Sequence, residues 1–155
     1  MKHETAVLLH NIRSAHNVGS IFRTSDGAGV SKIYLSGYSP RPIDAFGRQQ
    51  KDIAKTALGA QDSVPWESIK NPSTLIRRLK RDGWHVVGVE QDPNSIDYRE
   101  FNPKQPTLIL LGNEVLGLSP ALRKACDTII EIPMYGKKES LNVSVAAGII
   151  LFSLD

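Results

Sequence analysis

Short apolar runs alternate along the chain with segments whose apolar residues recur at helical spacing. Ala6 to Leu9, Lys32 to Ser36, His85 to Glu90, Leu108 to Gly112 and Thr128 to Pro133 are rich in Val, Ile and Leu and predict five strands. Between them, Val18 to Ala28 carries Ile21, Phe22 and Ala28 on helical spacing, and Pro72 to Asp82 follows Asn71, a good capping residue. Ser119 to Cys126 opens with a Ser cap and Pro120 at the first helical position, and Asn142 to Leu154 is a strongly apolar helix. Strands alternating with helices predict an α/β fold with a mainly parallel sheet and right-handed crossovers. Ligands of such sheets gather at the carboxyl ends of the strands.

The one long polar connection, Gly37 to Lys51, contains Arg41, Arg48 and Lys51. Loops of that length are uncommon in a compact domain unless they are functional or disordered. Charge sharpens this picture. The net charge is only +3, yet Lys and Arg outnumber Asp and Glu by 8 to 4 in residues 1–60, against 11 to 12 in residues 61–155. A basic amino-terminal half with this loop suits a phosphate-contacting face. The length of 155 residues and 41% hydrophobic content suit a single domain spanning residues 1–155. No basic start leads into a long apolar run, and no uncharged stretch approaches the roughly 18 residues of a membrane span, so a soluble cytoplasmic protein is expected. Cys126 stands alone, without a disulfide partner or neighbours at metal-ligand spacing, and reads as a small core residue with no metal implied.

An α/β chain invites a dinucleotide-binding reading, but no Gly-x-Gly-x-x-Gly turn follows the first strand and no Walker lysine follows a glycine-rich stretch. Glycines and unusual polar residues concentrate instead after the last two strands. Leu108 to Leu111 runs into Gly112, Asn113, Glu114 and Gly117, so a carboxylate and an amide sit beside flexible backbone at a strand's carboxyl end. Thr128 to Pro133 runs into Met134, Tyr135, Gly136, two lysines and then Ser140, Leu141 and Asn142. Ser140 or Asn142 also suits a helix cap, and so does Asn17 at the head of the first helix.

Three segments together carry a resemblance: Asn11 to Gly29 (NIRSAHNVGSIFRTSDGAG), Leu110 to Pro120 (LLGNEVLGLSP) and Ile130 to Ile150 (IEIPMYGKKESLNVSVAAGII). In this order they resemble the SpoU/TrmH branch of the SPOUT RNA 2′-O-ribose methyltransferases. The resemblance implies a SPOUT α/β knot, in which the carboxyl-terminal part of the chain threads a deep trefoil. It also implies a homodimer whose interface involves the first and last helices, which would cover the apolar run Ile149, Ile150, Leu151 and Phe152. The cofactor it implies is S-adenosylmethionine, held mostly by backbone at Gly112, Ile132 and Leu141, with Met134 beside them and Val89 or Glu90 as a further wall. Catalysis falls by the same resemblance to Arg23, Asn17, Glu114, Ser140 and Asn142. The substrate implied is RNA, tRNA ahead of ribosomal RNA, and the alternative is a SPOUT-fold RNA-binding protein without catalysis. The family gives the arginine the task of activating the hydroxyl. A guanidinium with a pKa above about 12 is a poor base, which favours Arg23 as a phosphate anchor and stabiliser of developing negative charge.

Overall fold

The computed structural model of the chain describes residues 3–154. In chain order its elements are β1 (Thr5–His10), α1 (Ala15–Ala28), β2 (Lys32–Ser36), α2 (Lys51–Ala57), α3 (Ala60–Ser63), β3 (Trp66–Ser68), α4 (Pro72–Arg81), β4 (His85–Val89), β5 (Ile96–Asp97), a 3-10 turn (Tyr98–Glu100), β6 (Thr107–Leu111), α5 (Pro120–Ala125), β7 (Thr128–Glu131) and α6 (Val143–Ser153). The strands form one seven-stranded sheet in the order β3-β2-β1-β6-β4-β7-β5, and every neighbouring pair is parallel. The expected α/β class with a parallel sheet is therefore what the chain adopts.

Helices cover both faces, which is why the central strands lack polar alternation. Successive side chains of a strand point to opposite faces. Val7 and Leu9 of β1, Ile109 and Leu111 of β6 and Val87 of β4 meet Ile21 and Phe22 of α1, Ile53 of α2 and Ile150 of α6. Ala6, Leu8, Leu108, Leu110 and Val86 meet Leu75, Ile76 and Leu79 of α4 and Leu122 of α5. Helix α1 lies close on α2 because Gly19 has no side chain: a Cβ there would approach the Ile53 carbonyl oxygen to 2.4 Å.

The structure differs from the sequence pattern in instructive places. Helix α1 begins three residues before Val18, because Ser14 is its cap and accepts from the Asn17 N–H at 3.1 Å, so Asn17 is no cap but lies in the first turn. β7 ends at Glu131, short of Pro133, leaving Ile132 to Met134 outside the sheet. β3 and β5 were not expected: they are three and two residues long and lie at the edges, too short for an apolar period. Helix α2 buries only Ile53 and Ala57 among its seven residues, so its amphipathic signal is faint. The apolar run of α6 is divided by the helix itself. Ile150 and Leu151 are buried against the sheet within the same chain, and Ile149 is half-buried; the outward apolar surface is Val145 (50% exposed) and Phe152 (59%). Most of the apolarity assigned to a dimer contact thus belongs to the internal core. Cys126 packs as expected: its thiol donates to the Leu122 carbonyl at 3.2 Å, and burial pushes its pKa up to about 12, so it stays an unreactive thiol.

Among the described residues no helix is long and apolar enough to cross a membrane.

Candidate active site

A cleft opens at the carboxyl ends of β6, β4 and β7, which are neighbours in the sheet. It encloses about 770 Å³ of empty space including its open mouth. Every position expected to hold a cofactor lines it: Val89 and Glu90 after β4, Gly112 after β6, and Ile132, Met134 and Leu141 after β7. Val89, Leu111, Ile132, Met134 and Leu141 give the walls apolar patches between polar groups. Carboxylates of Glu90, Glu114 and Glu131 stand around them, and the start of α6 closes one side with Val143 and Ala146.

The loop from Gly112 to Leu118 is folded back tightly on itself. A Cβ on Gly112 would lie 2.7 Å from the Gly117 carbonyl carbon and 2.8 Å from the Leu118 nitrogen, so the close approach of backbone to backbone requires glycine there. Gly117 has φ 68° and faces the Glu90 carboxylate, which accepts from the Leu118 N–H at 2.8 Å. Glu90 is therefore a clasp for the loop as well as a wall of the cleft. Asn113 is buried and satisfied on both ends of its amide. Its Oδ1 accepts from the Val115 and Leu116 N–H groups, and its Nδ2 donates to the Asn11 carbonyl and the Tyr38 hydroxyl. The loop after β7 is held at its rim, where Gln91 Nε2 donates to the Glu139 carbonyl and Arg99 donates to the Tyr135 hydroxyl at 3.1 Å.

Four of the five residues expected in catalysis meet at the mouth. Glu114 accepts from the backbone N–H groups of Arg13 and Ser14, both at 3.0 Å, and from Asn17 Nδ2 at 3.2 Å. Asn17 Oδ1 in turn accepts from Asn142 Nδ2 at 3.3 Å, and Ser140 lines the same cleft. Asn142 is also the cap of α6, accepting from the Ser144 N–H, so the capping and site readings hold together; Ser140 is not the cap. Burial pushes the Glu114 carboxyl upward in pKa, but the N–H donors of Arg13, Ser14 and its own backbone, with Asn17, outweigh this and hold it below the ordinary carboxylate range. Glu114 is thus an anion at neutral pH, placed at the positive end of α1.

Arg23 stands apart. It lines a separate, shallow groove with Ser20, Thr24, Gly27, Lys55, Thr56, Leu58 and Phe152. Six helical residues separate it from Asn17, about 9 Å of rise and about 240° of rotation, so the two side chains leave α1 in different directions. The structure of one chain therefore does not bring Arg23 to the cleft. Sequence reasoning also passed over Gln91, Glu131, Val143 and Ala146, while Asn113, noted as the amide beside Glu114, was given no role. Their signal was positional, since each follows a strand's carboxyl end or opens the terminal helix, but nothing in residue type marks them.

Comparison with known proteins agrees with this geometry. The model of the SpoU rRNA Methylase family matches residues 4–152. A Staphylococcus saprophyticus protein named for the TrmH family of tRNA/rRNA methyltransferases is 35% identical over 153 residues, 99% of this chain and 59% of the relative. A tRNA (guanosine(18)-2′-O)-methyltransferase of Aquifex aeolicus is 36% identical over 146 residues, 94% of this chain and 66% of the relative. The crystal structure of an AdoMet-bound rRNA methyltransferase from Sinorhizobium meliloti superposes with a TM-score of 0.86 at 32% identity, covering 97% of this chain and 55% of the other. The chain spans about three fifths of the length of the curated relatives it matches.

Proposed function

The chain belongs to the SpoU/TrmH family of SPOUT methyltransferases, and on that premise we propose that it methylates a ribose 2′-hydroxyl of RNA with S-adenosylmethionine, as a homodimer acting in the cytoplasm. Residues 1–155 act as one catalytic domain, and the family's trefoil knot comprises the strands and loops around the cleft. The observation that carries the proposal is the cleft itself, with six expected cofactor residues and Ser140 on its walls and Glu114, Asn17 and Asn142 joined by hydrogen bonds at its mouth. The residues present suit the cofactor. Val89, Ile132, Met134 and Leu141 offer apolar surface for an adenine ring, and carboxylates stand nearby for its ribose hydroxyls and ammonium group. When bound, it supplies an electrophilic methyl group on a sulfonium. The ribose oxygen must approach that methyl in line and lose its proton, so positioning and proton removal are the tasks left to the protein.

Glu114 is suited to positioning. Its oxygens already accept three hydrogen bonds, and through them it ties the head of α1 to the loop after β6. Arg23 carries a permanent charge and serves as phosphate anchor and stabiliser of negative charge on the 2′-oxygen. Because its side chain leaves α1 away from the cleft of its own chain, it acts at the cleft of the partner, and each site is assembled from two chains. Transfer RNA ranks ahead of ribosomal RNA as substrate, since the Aquifex aeolicus relative is named for 2′-O-methylation of a tRNA guanosine. Incubation with radiolabelled S-adenosylmethionine and unmodified tRNA or ribosomal RNA, followed by nuclease digestion, tests the reading. Ribose-methylated nucleotides are expected, and label found only on bases, or cofactor binding without any labelled RNA, would overturn it.

A further inference from the structure

The connection between β2 and α2 has a shape that its charge alone does not explain. Asp44 folds residues 44–48 into a turn: its Oδ1 accepts from the Phe46 and Arg48 N–H groups, both at 2.9 Å, and its Oδ2 from Arg48 Nε at 2.9 Å. Ile43 and Gln49 pair across the base of this turn as an antiparallel bridge. Those donors hold the Asp44 carboxyl below its ordinary pKa range, so the staple stays in place at neutral pH. At the tip Phe46 is 82% exposed, and the Arg48 guanidinium lies 5.0 Å from its ring centre. An ordered turn that presents a phenyl ring to water, with a cation on the ring, carries an apolar surface the fold does not use.

The root of the same loop is fastened to the active site. The Tyr38 N–H donates to Asn11 Oδ1, the Tyr38 hydroxyl accepts from Asn113 Nδ2, and Ser39 bridges the Ile12 N–H and the Leu9 carbonyl. From its far end, α2 returns to α1 through the Thr56 hydroxyl and the His16 carbonyl. The loop therefore rises from the carboxyl-end rim of the sheet, beside the loop that carries Glu114. Arg41, Arg48 and Lys51 give residues 37–51 three cations against the one anion, Asp44.

We infer that Phe46 is a stacking platform for an unpaired nucleobase of the RNA substrate, with Arg41 and Lys51 on the adjoining phosphates. This rests on the RNA-modifying reading above. An aromatic ring with one cation on it and two more in the same loop suits a splayed-out base, because every base has a π-face and its phosphate brings the complementary charge. A protein partner of apolar character would gain nothing from the surrounding cations. The platform makes an exposed loop or bulge the preferred target, since paired bases keep their faces stacked on one another.

Phe46→Ala, Phe46→Leu and Phe46→Trp separate aromatic stacking from simple burial. Affinity is measured for a synthetic RNA hairpin with an unpaired loop and for a fully paired RNA duplex of equal length, with S-adenosylmethionine binding measured in parallel. Alanine and leucine should both weaken hairpin binding by roughly five- to a hundredfold, while tryptophan restores it and cofactor affinity stays at the wild-type level. The added tryptophan emission, taken against the background of Trp66 and Trp84, should be quenched by the hairpin and not by the duplex. Leucine binding the hairpin as well as phenylalanine, or Phe46→Ala altering self-association and leaving RNA affinity intact, would overturn the platform. In those cases a wild-type chain that still methylates RNA keeps the reading it rests on; a wild-type chain that neither binds nor methylates RNA overturns both.

Discussion

The cleft at the ends of β6, β4 and β7 and the groove over α1, α2 and α6 are built by opposite means. Backbone crowding and saturated polar groups shape the cleft: Gly112 lies against Gly117, Glu90 clasps Leu118, and Asn113 uses both ends of its amide. The groove is an open helical surface where Arg23, Lys55 and Phe152 project side by side. A preorganised pocket suits a small molecule that must be enclosed, and an open cationic surface suits a polymer or a second chain. Under the proposed function the two regions would divide the work, with cofactor on one side and RNA with the partner chain on the other.

The sharpest way to break that division is a mixing experiment. An Arg23→Ala chain and a Leu141→Asp chain, each inactive as a homodimer, should regain activity at one of the two sites of the isolated heterodimer, because both lesions fall in the other site. A heterodimer that forms and binds cofactor in its intact pocket yet stays inactive would place each site within a single chain.

Next in size is Arg23→Ala by itself. Loss of an electrostatic stabiliser at the developing oxyanion should lower the methylation rate by about a hundred- to a thousandfold, with S-adenosylmethionine affinity by calorimetry nearly unchanged. A matching loss of cofactor binding would join the two regions that the structure separates. Leu141→Asp should show the reverse, weakening cofactor binding by about a hundredfold or more through a charge set against an apolar wall. Normal cofactor titration by this variant would move the pocket elsewhere.

The smallest effect is expected from Glu114→Gln, which keeps the shape of the mouth and removes its charge. It should cost about 1 to 2 kcal/mol of stability at neutral pH, towards the lower end because the carboxylate also reaches solvent. The sign with pH follows from the depressed pKa. The stabilisation by Glu114 is complete above the ordinary carboxylate value near 4.5 and is lost as pH falls through the lower folded value. Melting temperatures of wild type and variant, followed from neutral pH into acid, should converge below that range; a constant gap would show that the charge contributes nothing.

Local signals carried much of this protein. Apolar strand runs, the caps Asn71 and Ser119 and the polar residues clustered after β6 and β7 are readable because each depends on neighbours within a few positions. The six residues expected at the cofactor were legible only through the resemblance of the motifs that carry them, and the structure brings all six to one cleft at the carboxyl end of the sheet. The short edge strands β3 and β5 were not, since two or three residues carry no period, and their pairing is decided by β2 and β7.

What the amino-acid order determined by itself was therefore the class of fold, the elements long enough to show a period, and the motifs that mark the family. Tertiary structure alone decided that Asn17, Glu114 and Asn142, separated by about a hundred residues or more from first to second and first to third, share one hydrogen-bonded mouth. It also turned Arg23 away from them and sent Ile150 and Leu151 into the core, leaving Phe152 outside. The physical reason is one of direction. Sequence spacing gives the angle of a side chain about its own helix, but which neighbour lies at that angle depends on how helices and loops distant in the chain pack against the sheet.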